Sequence, residues 1–192
     1  MKPFELRNLY GGLLIALMGW MSISCDPADA YQSELSEIDS CLTRIDTLET
    51  LFDGIEFDSL KLMVAHVKEN EALIKEFYHP DTLDSEFGRW VTDSKSIRKS
   101  LTNLDSKQLN YGDELNAVKH QFKDLEEDIR NGVLDEKQVN TYLATEKEAL
   151  EKIDVTVTSF YNLQEMEKDK YYYAVPKVDT YIEKLKGQSD QN

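Results

Sequence analysis

Residues 113–132, Asp-Glu-Leu-Asn-Ala-Val-Lys-His-Gln-Phe-Lys-Asp-Leu-Glu-Glu-Asp-Ile-Arg-Asn-Gly, decide the fold class of this chain. Leu115, Val118, Phe122, Leu125 and Ile129 recur at alternating intervals of three and four, and charged or amide side chains fill most positions between them. That is the spacing of an amphipathic helix with one apolar stripe. Asn131-Gly132 is its stop signal, because glycine takes the left-handed conformation that closes a helix without steric cost.

The same period extends outward in both directions. Upstream it runs through Tyr31, Leu35, Ile38, Leu42, Ile45, Leu48 and Phe52 until Asp53-Gly54 breaks it. A second stripe, Leu60, Val64, Val67, Ile74 and Phe77, has Asp58 or Ser59 as its cap and ends at His79-Pro80, where proline pushes the preceding residue out of helical geometry. Leu83, Phe87, Trp90, Ile97, Leu101 and Leu104 form a third, with Ser94 as a polar gap and a turn expected at Asn110-Tyr111-Gly112. Downstream, Asp135 caps the longest stripe, from Val139 through Tyr142, Leu143, Leu150, Ile153, Val157 and Phe160 to Leu163. Val155-Thr156-Val157-Thr158 alternates as a strand would, yet no turn residue brackets it and Ile153, Val157 and Phe160 keep the helical spacing. Val175-Pro176 is expected to bend the chain into a short tail helix bearing Val178, Tyr181 and Leu185.

These stripes predict an all-α domain over residues 31–186. The expected architecture is an antiparallel up-down helical bundle of about five helices, with a long C-terminal helix, a short tail helix and a disordered tail at 187–192. A last helix of about 35 residues is roughly 50 Å long and overhangs a compact bundle unless the chain folds back. Pro80, Gly88 and the glycine turns favour folding back over an extended coiled-coil array.

The first 24 residues read as an export signal rather than as part of the fold. Lys2 and Arg7 give a basic start, Leu9 to Ile23 carries no charge, and Ser22-Ile23-Ser24-Cys25 closes the segment with small residues before a cysteine. As a membrane span the uncharged stretch is short of the about 20 apolar residues a bilayer core requires, and Gly11, Gly12 and Gly19 interrupt it. Ala28-Asp29-Ala30 offers an ordinary small-x-small cut before Tyr31 as an alternative. Ile23, Ser24 and Cys25 match the box of the bacterial lipoprotein signal position by position, while Ser22 departs from the aliphatic residue that usually opens it. The chain thus resembles a Bacteroidota-like envelope lipoprotein with a lipobox-type signal and a helical body. The resemblance implies that Cys25 is lipidated, that 25–30 is a short linker, and that the body faces the periplasm or cell exterior. Attachment to the membrane would then come from the N-terminal lipid anchor, since stable anchoring needs more than one acyl chain and no transmembrane helix.

Without residues 1–24 the chain holds 20 basic and 36 acidic residues, a formal charge of −16 over 168 residues. Such a body is repelled by phosphates, so nucleic acid is not an expected partner and direct electrostatic docking on anionic headgroups is disfavoured. With Cys25 lipidated, Cys41 has no partner within the chain; it reads as a small residue packed beside Ile38 and Leu42.

The chemistry-bearing motifs are missing. His66, His79 and His120 stand isolated, with no HExxH, no Glu-x-x-His, no zinc-type cysteine pair, no phosphate-cradling loop and no G-x-S-x-G turn. No catalytic residue, metal or cofactor is therefore expected, and the acidic run Glu126-Glu127-Asp128 reads as a solvated helix face. Tyr171-Tyr172-Tyr173 is the exception in an otherwise plain surface. Successive helical side chains turn by about 100°, so three adjacent rings cannot share one core and at least one stays exposed. They form a candidate contact patch for an envelope protein partner or for sugar rings, unless the tail helix folds over them. The expected role is a non-catalytic, lipid-anchored interaction or structural module; the alternative is a periplasm-side bundle that holds a small ligand between helices.

Overall fold

The computed structural model describes residues 27–79 and 84–189, and the signal, Cys25 and Pro80 lie outside them. Six helices follow in order: α1 (Pro27–Ala30), α2 (Gln32–Asp53), α3 (Phe57–Phe77), α4 (Ser85–Ser100), α5 (Leu104–Arg130) and α6 (Glu136–Ser189). Among the described residues there is no strand, and no helix is long and apolar enough to cross a membrane. The all-α antiparallel bundle is what forms, with five substantial helices and a long one at the C-terminus.

Its shape is not the compact one. Side-chain pairs between α2–α3 and α6 rise together along both: Glu37 with Lys147, Arg44 with Glu151 and Asp154, Gly54 with Gln164, His66 with Tyr171, Asn70 with Asp179. Helices α2 and α3 therefore succeed one another in a single column that runs parallel to α6. Pairs with α4–α5 fall instead: Glu49 with Lys119, Lys61 with Gln108, Glu71 with Arg98, Tyr78 with Phe87. Helices α4 and α5 thus form a second column, antiparallel to the first. Three columns run up, down and up, and α6 spans them all. At 1.5 Å per residue its 54 residues extend about 80 Å.

Three apolar clusters lie in sequence along this rod. Leu35, Ile38, Ile45 and Leu48 of α2 meet Leu115, Val118, Phe122 and Ile129 of α5 and Val139 to Val157 of α6. In the middle, Phe57 stacks on Phe160 at 5.6 Å among Ile55, Leu60, Ile97 and Leu101. At the far end Phe87 stacks on Tyr181 at 3.9 Å beside Val91, Val178 and Ile182.

The ends of the elements follow from local chemistry. Asp135 Oδ1 accepts from the Gln138 amide at 2.8 Å while Gln138 Oε1 accepts from the Asp135 amide at 2.9 Å, a reciprocal capping box that starts α6. Gly132, at φ 66°, ends α5, and the amides of Gly132 and Val133 turn back to the carbonyls of Ile129 and Asp128. Between α2 and α3 the cap is supplied from elsewhere in the chain. Gln164, 1 % exposed, accepts from the Glu56 amide at 2.9 Å and donates to the Gly54 carbonyl at 3.1 Å. Asp58 and Ser59, the expected caps, fall inside α3 instead. Gly54 packs so closely that a Cβ would lie 3.2 Å from Tyr161.

Several expectations are corrected. No turn forms at Asn110-Tyr111-Gly112; the chain breaks earlier, at Leu101–Asn103, with Asn103 left-handed at φ 55°. Leu101 and Leu104 are both buried there, so the break serves the middle cluster, and Gly112 lies within α5 against the Phe52 ring. No separate tail helix forms either: Pro176 sits inside α6. Proline cannot donate to the Tyr172 carbonyl, which in a helix interior costs about 3 kcal/mol. The flanking Ala174, Val175 and Val178 are buried against the other columns, and that packing keeps the helix continuous. The tail therefore does not fold back over the tyrosines, residues 187–189 remain helical, and α1 occupies the expected linker.

Phe122 is fully buried between all three columns of the first cluster. Phe122→Ala is expected to destabilise the chain by about 3–5 kcal/mol, read as a lower urea midpoint with an unchanged slope.

Candidate functional site

The three tyrosines lie on α6 in its distal part, and the helix turns them to three different environments. Tyr171 faces α3. Its hydroxyl lies 2.7 Å from His66 Nδ1, and its ring meets the imidazole edge-on at 5.9 Å. His66 Nε2 is 3.3 Å from Asp179 Oδ1, to which Asn70 Nδ2 donates at 2.6 Å. With the His66 proton on Nε2 toward Asp179, Nδ1 accepts from the phenol, so the four groups form one polar clamp between α3 and α6.

The order carboxylate, imidazole, hydroxyl is that of a nucleophile relay. Burial pushes the Tyr171 pKa up, with the Asp179 charge adding to it. The four groups join α3 to α6 side by side.

Tyr172 and Tyr173 point outward, 67 % and 54 % exposed. Lys177 Nζ lies 3.3 Å from the Tyr173 ring centre and 5.5 Å from that of Trp90, so one ammonium joins two aromatic faces. Beside them Trp90, Pro176, Lys177, Thr180, Tyr181 and Lys184 line a shallow groove of about 310 Å³. Trp90, expected as core beside Phe87, is only half-buried: Phe87 enters the core while Trp90 borders this groove. Its indole N–H is buried with no acceptor.

A larger cleft of about 410 Å³ lies between α3 and the α4–α5 junction, lined by Lys61, Lys68, Arg98, Thr102 and Asn103 over Val64, Leu101 and Leu104. Its cations are largely engaged: Lys61 pairs with Asp105 at 2.6 Å, and Arg98 Nε donates to Glu71 at 2.9 Å. Among the described residues no group of three or more His, Cys, Asp or Glu is placed to hold a metal ion.

Sequence reading singled out Tyr171, Tyr172 and Tyr173, and the structure gives each a different role. It missed His66, Asn70 and Asp179. His66 and Asn70 stand one helical turn apart, and Tyr171 and Asp179 about two, which marks two faces. Their meeting depends on the register of α3 against α6, which no spacing encodes. Lipidation of Cys25 falls outside the described residues.

Comparison with protein-family models, with curated proteins and with solved structures finds no match to this chain.

Cys41 is buried in the first cluster, and burial pushes its thiol pKa up, against the smaller opposing pull of Lys147. Alkylation at pH 8 of the peptide containing Cys41, followed by mass spectrometry, is expected to be at least tenfold slower in the native chain than in urea.

Proposed function

We propose that this chain is a lipid-anchored cell-envelope protein whose helical body is a non-catalytic interaction and structural module, held at one end and making contact near the other. The observation that carries the reading is the separation of those two ends. The described body begins at Pro27, beside the C-terminal part of α5, two residues from the cysteine that closes the signal-like segment. The aromatic face of Trp90, Tyr172 and Tyr173 lies in the opposite half of an about 80 Å rod. With a short linker at 25–30, the body itself acts as the spacer.

Charge supports the same orientation. The near half, residues 27–55 and 104–159, carries 20 acidic and 8 basic side chains; the far half, 56–103 and 160–189, carries 14 and 12. An anionic surface repels the near half within about a Debye length, roughly 8 Å at physiological salt, which disfavours the rod lying flat. The far half, close to neutral, meets a partner without that repulsion. Its exposed aromatic rings, Tyr172 and Tyr173, are of the residue type enriched in protein contact surfaces.

Cys25→Ala is expected to abolish incorporation of a fatty-acid analogue and to move the protein from the membrane fraction to the soluble one. Unchanged labelling contradicts the anchor. A photo-crosslinking residue at Tyr172 is expected to give a discrete adduct in intact cells that the same residue at Lys123, on the near half, does not.

A further inference from the structure

The irregularities of this rod are not spread evenly. All four buried polar side chains among the described residues, Asn70, Ser94, Gln164 and Glu167, belong to the far half or to its boundary. None of the four lies in residues 27–55 or 104–159. Glu167 is 1 % exposed; one carboxylate oxygen takes Lys170 at 2.8 Å, and Oε2 has no partner. The buried Trp90 indole N–H has none either. Pro176 interrupts the hydrogen-bond ladder of α6 in this half. Gly88 lies inside α4 with open space around it, so nothing in the packing requires a glycine there, and it weakens the helix.

The boundary is also drawn by the chain. The first column breaks at Gly54–Glu56 and is rejoined by Gln164; the second breaks at Leu101–Asn103. Only α6 passes through without interruption. On one side of these breaks no polar side chain is buried, and on the other four are, with two unpaired buried polar atoms and Pro176 inside α6. Cooperative opening units are separated by such differences in packing and hydrogen bonding.

We propose that the far half, made of α3, α4 and α6 beyond Gln164, opens as one cooperative unit while the near half stays folded. The device is independent of how the chain is held. It provides a stable base and a far end that unlocks, exposing the apolar faces of Phe87, Val91, Val178 and Ile182 together. The Tyr171–His66–Asp179–Asn70 clamp ties α3 to α6 within that unit, so the two helices lose their protection in one step rather than fraying separately.

Native-state hydrogen exchange on the full chain, resolved by peptide, tests this. Amides of Leu60–Val67, Val91–Ile97 and Val178–Ile182 are expected to share one protection level, at least tenfold below that of Leu115–Ile129 and Val139–Val157. Pro176→Ala is expected to raise protection at least fivefold across all three far segments, α4 included, and to leave the near segments unchanged. Gly88→Ala, a substitution into open space, should do the same for α3 and the far part of α6. Uniform protection, a less protected near half, or gains confined to the substituted helix or shared equally by both halves would overturn the proposal.

Discussion

An unbroken helix of 54 residues presents an apolar stripe that no single partner in this chain can cover. Water contact along it is relieved only if two helices are placed end to end on each side, and this requirement sets the shape of the whole molecule. The cost falls at the junctions, where helix ends leave main-chain groups without partners. Gln164 meets that cost at the first junction, giving its carbonyl to Glu56 and its amide to Gly54 from within the core. Without it the Glu56 amide and the Gly54 carbonyl would lose these partners at the break. The second junction lies farther along the first column, facing α3 at Lys61 to Lys68. Because the two breaks are staggered, each is splinted by a continuous neighbour.

Most of the helical content was legible from the apolar period alone. Every stripe residue from Leu115 to Ile129 is buried, as are Val139, Leu143, Leu150, Ile153, Val157 and Phe160. The Asn131-Gly132 stop and the Asp135 cap follow from side-chain chemistry confined to four or five residues, and local chemistry is what a sequence displays. Pro176 misled for the opposite reason: its local preference is real, but burial of Ala174, Val175 and Val178 outweighs it. The turn near Gly112 was misplaced because the chain breaks instead where Leu101 and Leu104 both enter the middle cluster, a packing requirement that no local residue pattern displays. Whether two helices run side by side or end to end is likewise a matter of register, and the stripe pattern is the same for both.

The candidate site shows the same division. Three consecutive tyrosines on a helix must face different ways, and they do. That Tyr171 would be claimed by a His–Asp–Asn clamp, leaving Tyr172 and Tyr173 to the surface, depends on the pairing of α3 with α6. The clamp also connects the site to the stability of the far half. The exposed rings sit on a helix held by that network, and the same half carries the buried unpaired groups at Glu167 and Trp90.

The rod itself is the claim on which the rest stands, and small-angle scattering from the body, residues 27–192, measures it directly. Three columns spanned by α6 give a maximum dimension of about 80 Å and a radius of gyration above about 20 Å. A compact domain of this length has a radius of gyration near 15 Å. The smaller value would mean that the chain folds back on itself, and the end-to-end arrangement of α2 with α3 and of α4 with α5 would be wrong.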